Sequence, residues 1–181
     1  MFVIRTACRE DVPAILRLLQ GAGVREDGVD KHPERFWVME EIGESPRIAG
    51  TIGMEVYGRA GLLRSFVVER GRWNPQMGVQ FLLVALSAAR EQGIDELYLA
   101  APGSFPLFEA IGFSAADASE LPEPIRRSEH LKEAERSGEI RVMRCLLSRV
   151  LAGDGGAAPS SLQRDPAEGD GKGDGSSGSR E

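Results

Sequence analysis

The segment that most restricts the fold lies mid-chain. Leu62-Leu-Arg-Ser-Phe-Val-Val68 reads as a buried strand and Met77 to Glu91 as a long apolar helix. Val79, Leu82, Leu83 and Leu86 share one helical face, Gly93 follows the helix end, and Ile94-Asp-Glu-Leu-Tyr-Leu-Ala-Ala101 reads as the next strand. A helix that crosses over between two strands of one sheet makes those strands parallel, with a right-handed connection. Leu62–Val68 and Glu96–Ala101 are therefore expected to form a parallel pair. The same unit has a chemical consequence. Its loop, Glu69 to Gln76, runs into a helix N-terminus with Asn74 as N-cap and Pro75 at the first helical position. Unpaired amides and the positive end of the helix dipole suit a pyrophosphate there.

The remaining elements build an α/β fold around that unit. Phe2-Val-Ile-Arg-Thr-Ala is a short strand, and Val12, Ile15, Leu16 and Leu19 at helical spacing predict a helix that Gly21 and Gly23 end. The polar stretch to Glu34 has room for a short second helix. Arg35 to Glu41 and Arg47 to Tyr57 read as strands joined by a turn at Gly43-Glu-Ser-Pro, and Gly58-Arg-Ala-Gly61 is a second turn. Phe105 to Ile111 is a short helix stopped by Gly112, Leu121 to Arg136 a charged helix with a solvated face, and Glu139 to Leu147 the closing strand. The expected architecture is a mixed central sheet, antiparallel over Arg35–Val68 and splayed at the parallel pair, with helices on both faces. It forms one domain, residues 1–151. Residues 152–181 are rich in Gly, Ser and Asp with Leu162 as the one large aliphatic side chain, so they are expected to be a disordered acidic tail.

Composition excludes several function classes. The net charge of −6 favours neither a nucleic-acid backbone nor an anionic membrane surface. Charges at Arg5 and from Arg9 to Asp11 interrupt any signal-peptide core, and no apolar run reaches the ~18 residues of a membrane span. A cytoplasmic location is the expectation. The two cysteines, Cys8 and Cys145, are too few and too far apart for a disulfide framework or a zinc site, and both are expected to act as small core hydrophobes.

The order of five segments carries a resemblance. They are Ile4-Arg-Thr-Ala with Asp11-Val-Pro-Ala-Ile, Leu62 to Val68, Leu107-Phe-Glu-Ala-Ile-Gly-Phe113, Asp117-Ala-Ser-Glu-Leu-Pro-Glu-Pro-Ile-Arg126, and the final strand around Met143. Over residues 2–147 the sequence resembles the GNAT superfamily of acetyl-CoA-dependent N-acetyltransferases. The pattern is closest to arsenic-resistance-type and short N-acetylglutamate-synthase-like members. The resemblance implies acetyl-CoA as cosubstrate in the cleft between the splayed strands. Its pantetheine arm pairs with the backbone of Phe66, Val67 and Val68, one of whose amides polarises the thioester carbonyl, and its pyrophosphate meets Gln76, Met77, Gly78 and Val79. It implies further that Arg64 and Ser65 hold the acceptor, a small and amino-acid-like amine that attacks the thioester directly. A homodimer through the last strands is the oligomer it implies.

The sequence also departs from the family pattern. Where members carry Arg or Gln followed by x-x-Gly-x-Gly or Ala, this chain has Trp73-Asn-Pro-Gln-Met-Gly78, which keeps only the last glycine. Gln76 puts a Cβ where backbone approaches phosphate, and Pro75 removes an N–H. Phe108 stands where many members have the Tyr that protonates the leaving thiolate, and Ala100-Ala-Pro-Gly replaces a frequent Asn. These changes keep a second reading open, a catalytically impaired GNAT-fold module for binding or regulation. Glu55, late on its strand, is the candidate general base. His32 and His130 read as solvated surface histidines, and Trp73 as either a packing residue or a cover for the adenine.

Overall fold

The computed structural model describes residues 1–72, 74–101, 106–138 and 140–151. Trp73, the Pro102-Gly103 stretch and the tail from residue 152 lie outside the described residues, so the expectations placed on them are not taken further. A seven-stranded sheet runs in the order β1-β2-β3-β4-β5-β7-β6. Its strands are β1 (Phe2–Thr6), β2 (Phe36–Glu41), β3 (Arg47–Tyr57), β4 (Ala60–Val68), β5 (Glu96–Ala101), β6 (Ser114–Ala116) and β7 (Arg141–Leu146). The helices are α1 (Val12–Ala22), α2 (Pro75–Glu91), α3 (Pro106–Ala110), α4 (Glu123–Arg126), α5 (Glu129–Arg136) and α6 (Leu147–Leu151). Strands β1 to β4 are antiparallel neighbours, and β4 and β5 are parallel, as the crossover through α2 requires.

Strand alternation distributes the core over both faces of the sheet. Leu63, Leu97 and Leu99 face Phe81, Leu82, Ala85 and Leu86 of α2, while Leu62 and Tyr98 face Ile125 of α4 and Leu131 of α5. On that second face α1 packs Ile15 and Leu19 against Phe36 and Val38 of β2. The mixed sheet with helices on both faces is thus present. Among the described residues, no helix is long and apolar enough to cross a membrane.

Several local expectations need correction. The charged stretch 121–136 is not one solvated helix. It breaks at Ser128, whose side chain caps α5 by accepting from the Leu131 N–H at 3.2 Å, and it buries Leu121, Ile125 and Leu131. Gly21 sits inside α1, which ends at Gly23 with φ 66, a left-handed cap suited to glycine. The polar stretch before β2 holds only a single 3-10 turn, Pro33–Arg35, and a short helix, α6, follows β7. Cys145 is buried, but Cys8 is exposed, because its backbone turns the chain from β1 into α1.

That corner is stapled by charge. Arg5 donates to both oxygens of Asp11 at 2.7 and 2.9 Å and to Glu40 on β2 at 2.8 Å, and the Cys8 N–H donates to Asp11 at 2.9 Å. Chiefly through the Arg5 guanidinium, the Asp11 carboxyl is held down to about 2. A carboxylate with a depressed folded-state pKa stabilises above its unfolded value and loses that contribution as pH falls through the folded one. Asp11→Asn should therefore lower stability at neutral pH by on the order of 1 kcal/mol, an amount kept small by the partial exposure of Arg5. The gap to the wild type should close between about pH 4 and pH 2, checked by urea unfolding across that range.

Candidate active site

The parallel ladder between β4 and β5 is short. It runs from Ala60–Glu96 to Leu63–Leu99, after which β5 continues against β7 and β4 continues against β3 to Val68. The two strands part at Leu63 and Leu99. A bulge reinforces the parting: Thr51 pairs with Val67 and Gly53 with Arg64, so Ile52 faces both Ser65 and Phe66. Ser65 takes the left-handed position with φ 56, which costs a non-glycine residue about 1 kcal/mol or more.

A cleft of about 470 Å³ opens at this divergence, at the carboxyl ends of the parallel strands where open α/β sheets hold ligands. Its floor includes Leu63, Arg64, Ser65, Phe66, Leu99 and Ala100. Its walls come from the Gly23–Arg25 turn after α1, Phe108 of α3, and His130, Glu133 and Ala134 of α5. Phe108 packs edge-to-face on Phe66 and on Phe113, with centroids 5.9 and 5.5 Å apart, which gives the cleft one aromatic side. A second cleft between α1 and β3 is lined by Asp11, Glu40, Arg47 and Glu69, each already in an ion pair with protein.

The polar side of the first cleft is a connected network. Arg64, only 8% exposed, donates to Glu55 at 2.9 Å, to the Ser65 hydroxyl at 3.2 Å and to the Arg25 carbonyl at 3.3 Å. The other Glu55 oxygen accepts from Tyr57 at 2.5 Å, and burial together with this carboxylate pushes the Tyr57 hydroxyl up to about 12. Arg25 in turn donates to the Glu129 carbonyl at 3.3 Å, which ties the turn after α1 to the start of α5. Glu55, the candidate base, is therefore the partner that holds Arg64 and Tyr57, and it does not line the cleft. His130 is not a solvated histidine. It is half-buried in the cleft wall, and burial, helped by the Arg64 charge, lowers its pKa.

At the other end of β4 the chain enters α2. The Asn74 side chain accepts from the Gln76 N–H at 2.8 Å and its carbonyl from the Gly78 N–H at 2.9 Å. Gly78 is buried inside the first helical turn, so its amide and that of Gln76 are already engaged; Val79 stands one residue further into α2. Met77, Phe66, Val67 and Val68 are half-buried.

The chain as a whole is similar to several solved structures. N-acetylglutamate synthase of Neisseria gonorrhoeae, solved with coenzyme A and N-acetyl-glutamate, matches 81% of this chain with a TM-score of 0.67 at 22% identity. A Mycobacterium tuberculosis protein solved with CoA matches 80% of this chain and 98% of its own, with a TM-score of 0.67 at 18% identity. An acetyltransferase of the GNAT family from Staphylococcus aureus matches 81% of this chain and 99% of its own, with a TM-score of 0.55 at 20% identity. The fold is that of the GNAT acetyltransferases. The chain spans about a third (35%) of the length of the gonococcal synthase. No family model and no curated protein matches the sequence.

Within this GNAT fold, sequence reasoning placed Arg64, Ser65 and Phe66 on the cleft floor and missed its α5 wall. One signal was available: His130, Glu133, Ala134 and Ser137 recur at i, i+3, i+4 and i+7, a single helical face in an otherwise charged run. The Glu55–Arg64 pair carried no such signal, because it depends on the register of β3 against β4. Removing one member of a buried pair strands the other. Glu55→Ala should cost about 2–3 kcal/mol in urea unfolding, more than the double variant Glu55→Ala/Arg64→Met, which removes both charges.

Proposed function

We propose that the protein is an acetyl-CoA-dependent N-acetyltransferase acting on a small, amino-acid-like amine. The observation that carries this reading is the continuous path formed by the stretch of β4 beyond the β5 ladder, Arg64 to Val68, and the N-terminus of the 17-residue helix α2. A strand edge offers backbone groups to an extended amide chain, and a helix N-terminus offers amides and a positive dipole to phosphate. The pantetheine arm and the pyrophosphate of coenzyme A supply those two chemistries in that order. Structural neighbours solved with CoA support the same cosubstrate. In the reaction the acceptor nitrogen bonds to the thioester carbonyl carbon, the C–S bond breaks, and coenzyme A leaves as a thiolate. The nitrogen releases a proton to water as the amide forms, and because Phe108 has none to give, the thiolate takes its proton from water. The amino-acid-like acceptor is supported by the N-acetyl-glutamate that the gonococcal neighbour holds.

The second reading, a GNAT-fold module that binds or regulates without catalysis, rests on one observation. The Gln76 and Gly78 amides are occupied by Asn74, and the loop has lost the glycine that lets backbone approach phosphate. The two readings separate on acetyl-CoA affinity, measured by calorimetry. If the enzyme reading holds, the wild type binds and Gln76→Gly binds about tenfold more tightly, or ~1.4 kcal/mol. No binding by either protein at millimolar acetyl-CoA would overturn the acetyltransferase reading and leave the fold intact.

A further inference from the structure

The imidazole of His130 is unused by the reading above, yet it lies in the cleft wall beside the Arg64 site. Its Nδ1 is sealed from solvent and has no hydrogen-bond partner among the described residues. A buried N–H without an acceptor costs more than a buried lone pair, so the surroundings assign the ring proton to Nε2. Burial disfavours the imidazolium first of all, and the charges of Arg64 and Arg25 disfavour it further, against the opposing pull of Glu55. The cleft therefore meets a neutral ring that donates.

This donor has a particular complement. Arg64 spends one N–H each on Ser65, Glu55 and the Arg25 carbonyl, while a guanidinium carries five. An ammonium set beside a guanidinium and a ring N–H meets only donors. A carboxylate offers acceptors alone and finds a cation and a neutral donor in one corner. One helical turn along α5, Glu133 is the only carboxylate among the described residues that line the cleft, and it is already paired with Arg136 at 3.2 Å. The corner at Arg64 thus suits the anionic end of a zwitterion.

We propose that His130 is a specificity-determining residue, donating Nε2–H to a carboxylate on the amine acceptor above Arg64, so that the cleft selects amino acids over simple amines. The proposal rests on the acetyltransferase reading for its turnover assay, but its binding test does not. The same geometry argues against His130 as a general base, since a base must turn a lone pair to the substrate.

The test compares L-leucine, L-phenylalanine and L-lysine with isopentylamine, phenethylamine and cadaverine, their counterparts without the carboxylate. For the wild type, kcat/KM for the amino acids should exceed that for the amines by about tenfold or more, because a site built for a carboxylate leaves its polar groups unpaired when the carboxylate is missing. His130→Phe should remove that preference through KM, with kcat nearly unchanged, and His130→Gln, which keeps a neutral N–H donor, should restore it. Ring-nitrogen NMR at neutral pH should show the proton on Nε2 and a shift of that resonance with L-leucine but not isopentylamine. Equal use of amines and amino acids overturns the proposal. So does a proton on Nδ1, or a His130→Gln variant whose KM for the amino acids is raised as far as that of His130→Phe. Should no compound be acetylated and acetyl-CoA not bind, the acetyltransferase reading fails. The NMR titration then still decides: a shift with amino acids alone supports the carboxylate corner, and no shift with any compound overturns it.

Discussion

The parting of β4 from β5 is the constraint on which the rest of the site depends. A parallel pair normally satisfies its backbone groups along its whole length, and here it does so only from Ala60–Glu96 to Leu63–Leu99. β7 pairs with the opposite edge of β5 along Glu96–Ala101, so beyond Leu99 each strand is held only on its far side, β4 by β3 and β5 by β7. Everything functional gathers around the gap this leaves. The aromatic side is built on Phe66, the polar floor on Arg64 and Ser65, and the roof on the α5 helix that packs against the face bearing Leu62 and Tyr98.

The polar network explains why the gap has fixed walls. Arg64 reaches β3 through Glu55 and the turn after α1 through the Arg25 carbonyl, and Arg25 reaches α5 through the Glu129 carbonyl. With α5 tied on through Arg25, β3 and the turn after α1 are thereby held against the one Arg64 guanidinium. Its near-complete burial strengthens these bonds and makes each partner costly to lose. Arg64 is accordingly a scaffold as well as a charge on the cleft floor.

How much of this was legible follows from the range of each interaction. The parallel pair and its crossover could be read from Leu62 to Ala101, because strand, helix and strand are contiguous and a crossover leaves one handedness. The cap at Asn74 and Pro75 is equally local, and it was readable for the same reason. The bulge at Ser65 was not, since Gly or Asn marks a left-handed position and serine does not. Nor was the role of Glu55, which is fixed by pairing with a residue on the next strand. His130 was misread because its charged neighbours masked the helical face it shares with Ala134 and Ser137. Its environment is set by β4 and the turn after α1, neither of which is near it in sequence.

The bulge has a bearing on how the chain tolerates insertion and deletion. Ser65 is the extra residue that lets Ile52 oppose two positions of β4. Deleting it would bring β3 and β4 into one uninterrupted register, with Phe66 alone opposite Ile52 and Val67 still opposite Thr51. Val67 and Val68 would keep their faces, but the local bend would be lost and a straighter β4 would lie closer to β5. An added residue at the Gly58 hairpin tip, where φ is 64 and the chain is exposed, would leave both strands in frame. The reading frame of this one strand, more than any single side chain on it, is what keeps the pocket from being zipped shut into continuous sheet.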